Sequence, residues 1–157
     1  MTQIRDLDPE EWELWGAWTH AQRLLAQEVD AALQRDFGIS KAEFSVLMTL
    51  WRADGHSLRV GGIAESLRWE KSRVSHQLTR MEKRGFVTRA EEGARGRRTG
   101  IALTGEGRRA VRDALTGHAG TLRRHFFDPL TPRQADAIRS WSEQTIARLE
   151  ERGDAPA

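Results

Sequence analysis

The sequence predicts a mainly α-helical fold with a small β wing: a short helix, a turn, a second helix and a hairpin at the centre, bracketed by long amphipathic helices. Three observations predict it. Residues 60–104 read as a close helical pair followed by an alternating segment with glycines at its tip. Both ends of the chain carry helix-start signals followed by apolar residues three and four apart. Positive charge is also concentrated centrally, with 13 Lys/Arg against 5 Asp/Glu over residues 68–112, whereas residues 1–50 hold 4 against 9.

The elements follow in order. Asp8-Pro9-Glu10-Glu11 is an N-cap, a first-turn proline and an acidic third position. The helix it opens runs to about Phe37, where Gly38 supplies a C-terminal stop. Ser40-Lys41-Ala42-Glu43 is a second capping box, with Phe44, Leu47, Met48 and Trp51 at helical spacing behind it and Asp54-Gly55 ending the run. Residues 58–60 form a short strand, and Gly61-Gly62 leads into a short helix over 63–67. The next helix spans 70–85. A strand over 86–90, a tip with Gly93, Gly96 and Gly100, and a return strand over 101–103 make the hairpin. Thr104 caps a long helix with Val111, Leu115, Leu122 and Phe126 on one side. Thr131-Pro132-Arg133-Gln134 is a third capping box, opening a last helix that carries Ile138, Trp141, Thr145 and Leu149.

The 70–85 helix bears the chemistry. Val74, Leu78 and Met81 fall at i, i+4 and i+7, one apolar stripe. The opposite face carries Ser72, Ser75, His76, Thr79, Arg80 and Lys83, with Arg73 and Gln77 on its flank and no carboxylate at its centre. Such a helix suits a DNA major groove. The bland alternative is a solvated helix with a basic face. A polyanion partner accounts better for the segregated charge, since a near-neutral chain has its cations gathered on one segment. The long terminal helices each carry an apolar stripe that needs a partner surface, and packing within a dimer is the simplest one.

Composition excludes several classes. The chain of 157 residues has no cysteine, so disulfides, thiol redox sensing and Cys-ligated zinc are out. No apolar run approaches the ~20 residues of a membrane span, and the acidic N-terminus has no signal-peptide core, so a cytoplasmic protein without membrane contact is expected. No nucleophile–base arrangement, phosphate-binding glycine loop or metal set is present, so neither an enzyme nor a cofactor is expected. His118 and His125, seven apart without a companion ligand, read as helix-surface or interface residues.

The stretches Arg59-Val60-Gly61-Gly62-Ile63-Ala64-Glu65-Ser66-Leu67, Lys71-Ser72-Arg73-Val74-Ser75 and Leu78-Thr79-Arg80-Met81-Glu82-Lys83-Arg84-Gly85-Phe86-Val87, closed by Leu103-Thr104-Gly105-Glu106-Gly107, resemble the MarR family of winged helix-turn-helix regulators. The resemblance implies a homodimer whose helical dimerisation region comprises residues 1–38 and 105–157, with a winged helix-turn-helix DNA-binding lobe over 39–104. It further implies a roughly palindromic double-stranded DNA site with half-sites about 34 Å apart, a pocket between the dimerisation helices and the lobe, and repression of a neighbouring gene. The wing departs from the family pattern. Arg97 matches the family's wing arginine, but Arg95 stands where an aspartate is usual, and Gly61 stands where a capping Ser or Thr is common.

For the groove, the candidates are Ser72, Arg73, Ser75, His76, Gln77 and Arg80. Gln77 could pair with adenine and Arg73 with guanine, while Arg80 suits a phosphate. In the wing, Arg97 is assigned to the minor groove and Arg95 and Arg98 to phosphates. Trp12, Trp15 and Trp18 fan over about 120° of the first helix, so they cannot all face one pocket, and at least two fit a dimer core. Following the family's pocket, Trp15, Trp18, His20, Arg23, Phe44 and Met48 are the effector candidates, an aromatic lining with a polar handle that suits a small aromatic molecule. A DNA-binding protein without small-molecule control and a helical protein-interaction module remain the alternatives.

Overall fold

The computed structural model describes residues 6–92 and 98–153, with residues 90–92, 98–99 and 152–153 described through their backbone alone. Helix α1 spans Pro9–Phe37. Asp8 and Glu11 exchange two backbone-to-carboxylate hydrogen bonds of 2.8 Å at its start. It stops at Gly38, whose left-handed backbone (φ 63°) lets its N–H reach Gln34 O. Helix α2, Lys41–Arg52, begins with the same device on Ser40 and Glu43. A 3₁₀ turn over Asp54–His56 follows, with Gly55 at φ 63°.

Strand β1, Ser57–Arg59, passes directly into helix α3, Val60–Leu67. The helix thus starts earlier than its sequence suggests, with Arg59 as its N-cap and no side-chain capping bond. Gly61 is therefore not the cap. Both glycines sit in the first turn, where backbone N–H groups have no intrahelical acceptor in any case. Helix α4 spans Lys71–Lys83. Strands β2, Val87–Glu92, and β3, Arg98–Leu103, are each longer than the residues between the glycines indicate. The sheet order is β1-β3-β2, antiparallel throughout, with Leu58 and Arg89 both opposite Ile101.

Helix α5, Gly105–Leu122, begins at the Leu-Thr-x-x-Gly motif, and its geometry explains the motif. The Thr104 hydroxyl donates to Gly85 O at 2.6 Å and accepts the Gly107 N–H at 2.9 Å. A Cβ on Gly107 would collide with the Phe86 carbonyl. The motif therefore locks the α4–β2 connection onto the start of α5.

Ile39, Val46, Leu47, Leu50, Ile63, Val74, Leu78, Met81, Ile101, Leu103 and Val111 form one closed core. Burying each such side chain contributes about 1.5–3 kcal/mol. That core positions α3 and α4 against the sheet. The chain divides into two compact units after Thr121. In the second, a π-helical turn over Arg123–Phe127 sets Phe126 and Phe127 edge to face at 5.0 Å, and helix α6, Pro132–Gly153, starts at a box formed by Thr131 and Gln134.

Candidate nucleic-acid interface

Three residues separate α3 from α4. Arg68 ends α3 in the left-handed region at φ 52°, and the next N–H, that of Trp69, reaches back to Ala64 O at 2.9 Å. This is the Schellman arrangement, and it fixes where α4 departs. Val74, Leu78 and Met81 face the core, as their spacing requires. On the other side Lys71, Ser72, Arg73, His76, Thr79, Arg80 and Lys83 are exposed and Ser75 is half-buried. Most of the expected groove residues thus share one solvent-facing surface.

Gln77 does not. It is only 7% exposed, on the buried side of α4. Its Nε2 has no hydrogen-bond partner. The structure thus does not bring Gln77 together with the other groove candidates: position 77 lies one turn after Arg73 and one turn before Met81, and the helix rotates it inward with Val74 and Met81. The flank of a helix wheel, half in and half out on paper, becomes interior once the core closes over it.

Other contacts were not legible from periodicity. The Arg73 guanidinium lies 4.0 Å from the centroid of the Trp69 indole, which is itself partly buried against the core. Only their i, i+4 spacing hinted at this. Arg89 on β2 bonds to Glu82 at 3.2 Å and to the Thr79 hydroxyl at 3.5 Å, tying the wing's first strand to α4. Arg84, the C-cap of α4, donates to Glu43 at 2.6 Å and to Gly38 O at 3.0 Å. Burial alone would raise the Glu43 pKa, but the Ser40 backbone N–H, the Arg84 guanidinium and the Ser40 hydroxyl together hold it below its ordinary value. These two contacts pin the end of α4 to the junction of α1 and α2.

Beside Trp69 an open cleft of about 750 Å³ runs between α3 and the start of α4, lined among others by Glu65, Lys71 and Ser72. In the wing, Arg95 and Arg97 lie outside the described residues. Arg98 opens β3 opposite Glu92, with its side chain also outside the description.

The effector candidates fall into two groups. Trp15 and Trp18 on α1 stand 5.3 Å apart between ring centroids, and His20 and Arg23 on the same helix are exposed. Phe44 and Met48 on α2 are instead half-buried against the core, and Phe44 lies 5.1 Å from the His118 ring. His118 is half-buried, while His125 is exposed. Burial depresses the His118 pKa, partly offset by the Asp30 carboxylate, and its Nδ1 is closed off from solvent without a partner. A second cleft, about 340 Å³, is lined by other residues, among them Phe37, Phe86, Arg109 and Asp113. Among the described residues no group of three potential metal ligands occurs, and no helix is long and apolar enough to cross a membrane.

Comparison with known proteins places this geometry. A model of the MarR family matches residues 39–92. Sco3205 of Streptomyces coelicolor, a MarR family transcriptional regulator solved in complex with DNA, is 31% identical, with 98% of this chain and 93% of that one covered and a TM-score of 0.77. AbsC, a MarR family regulator of the same organism, is 27% identical over 94% of this chain and 99% of that one, with a TM-score of 0.81. The transcriptional repressor YetL of Bacillus subtilis is 31% identical over 81 residues, 52% of this chain; the chain spans about half, 48%, of that curated relative.

Proposed function

The chain belongs to the MarR family of transcriptional regulators, which are not enzymes, and on that premise we propose that it acts in the cytoplasm as a homodimeric repressor of a palindromic operator, released by a small aromatic ligand. Residues 39–104 are the reading lobe, and residues 1–38 and 105–157 the dimerisation region. The observation that carries the reading is the outward surface of α4: Ser72, Arg73, His76 and Arg80 are exposed together on a helix whose other side is sealed into the core. Ser75 lies beside them, and Arg95, Arg97 and Arg98 of the wing reach the flanking backbone and minor groove.

The dimer is supported by what the single chain leaves uncovered. Trp12, Leu14 and Trp15 on α1 and Trp141, Ile146 and Leu149 on α6 are all about half exposed or more. The ligand is the aromatic molecule that Trp15, Trp18, Phe44 and Met48 would face, with His20 or Arg23 as its polar handle. Sco3205 binding DNA and YetL acting as a repressor support the same assignment.

The test is fluorescence anisotropy with the duplex this protein selects from a random-sequence pool. The expected result is a preference of about 10³-fold or more over a scrambled duplex of equal length, with affinity falling steeply as salt rises. Addition of phenolic acids should release the duplex. Equal affinity for both duplexes overturns the regulator reading. Selective binding that no aromatic acid alters overturns the ligand alone.

A further inference from the structure

We propose that Trp69 is a positioning residue for DNA recognition: its indole holds the Arg73 guanidinium stacked and extended at the leading end of α4, ready to pair with a guanine. The inference rests on the DNA-binding reading above and adds to it a residue that touches no base.

The argument begins with the backbone. Trp69 is the second residue past the end of α3, and its N–H is bound to Ala64 O at 2.9 Å. Its ring packs against the core while remaining partly exposed. The residue is therefore anchored in the turn between α3 and α4, by its backbone bond to α3 and by its packing on the core. Arg73 is the third residue of α4. Side chains on a helix lean toward its N-terminus, so Arg73 points back over the turn, and its guanidinium meets the indole 4.0 Å from the ring centroid.

A cation there has no local support from the helix, because the N-terminal end carries the positive pole of the macrodipole. The negative face of the indole supplies the compensating attraction. The planar guanidinium also stacks in a way an ammonium does not. Arginine loses much rotamer freedom when it binds a base edge. Here a large part of that ordering is completed in the free protein, which strengthens the contact without adding one. The guanidinium edge stays available for a bidentate pair with guanine while its face rests on Trp69. Because the ring belongs to the turn that follows α3, that turn and α4 jointly set the position of one reading side chain.

A double-mutant cycle with anisotropy readout tests this, using the duplex selected by the wild-type chain and the same duplex with single base pairs exchanged. Trp69→Leu should lower affinity for the selected duplex about fivefold, and Trp69→Phe should restore part of it. The loss should vanish in an Arg73→Ala background and at duplexes where the base pair read by Arg73 has been exchanged. In the free wild-type protein the Arg73 side-chain protons should show upfield ring-current shifts that Trp69→Phe reduces. Losses of equal size with and without Arg73, or random-coil shifts for its side chain, overturn the proposal. If Trp69→Leu fails to fold, the Trp69→Phe cycle and the shifts decide. Wild-type protein that selects no duplex fails the DNA-binding reading itself, whereas selective binding with additive losses fails only this inference.

Discussion

The lobe over residues 39–104 and the helical ends solve the burial problem differently. In the lobe, the apolar stripes of α2, α3 and α4 and the inner face of the sheet close on one another, leaving Val46, Leu47, Leu50, Ile63, Val74 and Ile101 fully buried. Among the described residues the large apolar side chains left exposed all lie elsewhere: Leu7, Trp12, Leu14, Trp15 and Leu24 in the N-terminal part, and Phe127, Ile138, Trp141, Ile146 and Leu149 in the second compact unit. The stripes of the first region find partners within the chain, Leu33 of α1 and Val111 and Ala114 of α5 among them, while the side chains just named stay exposed. On the dimer reading proposed above, these are the side chains that a second chain would cover. The lesson is that substitutions should act on folding in the first region and on association in the second.

The sharpest way to break this comparison is to charge the ends. Replacing Ile146 and Leu149 together by Glu puts two carboxylates where apolar side chains are 54% and 64% exposed, so the single chain should fold unchanged. Sedimentation should then show a monomer. Affinity for a duplex with two half-sites should fall about 10³-fold as avidity is lost. A variant that remains dimeric would remove α6 from the interface.

At the start of α5, where the lobe is locked to the following helix, the largest effect belongs to Gly107. Gly107→Ala drives a methyl group into the Phe86 backbone carbonyl, with no flexible side chain to yield. Urea denaturation should show a loss of about 3 kcal/mol. Gly105→Ala, whose added Cβ would meet only arginine side-chain tips at 3.9 Å, is the control and should be near neutral. Equal effects at both positions would deny the motif its role as a lock.

A smaller effect is expected at Glu43. Glu43→Gln keeps the shape but removes the charge facing Arg84, and should cost about 2 kcal/mol. That figure is modest because the Arg84 side chain is 42% exposed although that of Glu43 is 5% exposed, so water screens one partner. The linkage sign follows from the depressed carboxyl pKa: its stabilisation is present above pH 4.5 and lost as pH falls below it. Acid unfolding of Glu43→Gln should therefore be flatter below pH 4.5 than that of the parent, whereas parallel curves would show that the pair contributes nothing.

Much of the fold was legible because its boundaries are local chemistry. Asp8, Ser40 and Thr131 each announce a helix through a side chain three residues from its partner, and Gly38 ends one through its own φ. The site was legible where the period-3.6 rule decides, so Ser72, His76 and Arg80 face outward. It was not legible where tertiary closure decides. Arg84 meets Glu43 41 positions away, and Arg89 meets Thr79 across a strand–helix contact, neither of which periodicity encodes. Trp69 lies in a turn outside any helical period, so its i, i+4 relation to Arg73 is the one signal the sequence offers.

Gln77 is where helical periodicity and packing part company, and it offers the finest test of the lobe as a finished core. A buried amide nitrogen without a partner forfeits its hydration and gains no bond in return. Gln77→Leu removes that deficit at similar volume and should raise stability by about 1 kcal/mol, read as a higher urea midpoint with unchanged slope. Because the side chain lies behind α4, affinity for the selected duplex should stay within about twofold and base preference should not change. A variant that is more stable yet reads DNA as before confirms that the amide is an imperfection of the core. A variant that loses preference for one base pair instead shows that α4 rotates on binding DNA and brings Gln77 into the groove, and the inner and outer sides of the recognition helix would then belong to two different states.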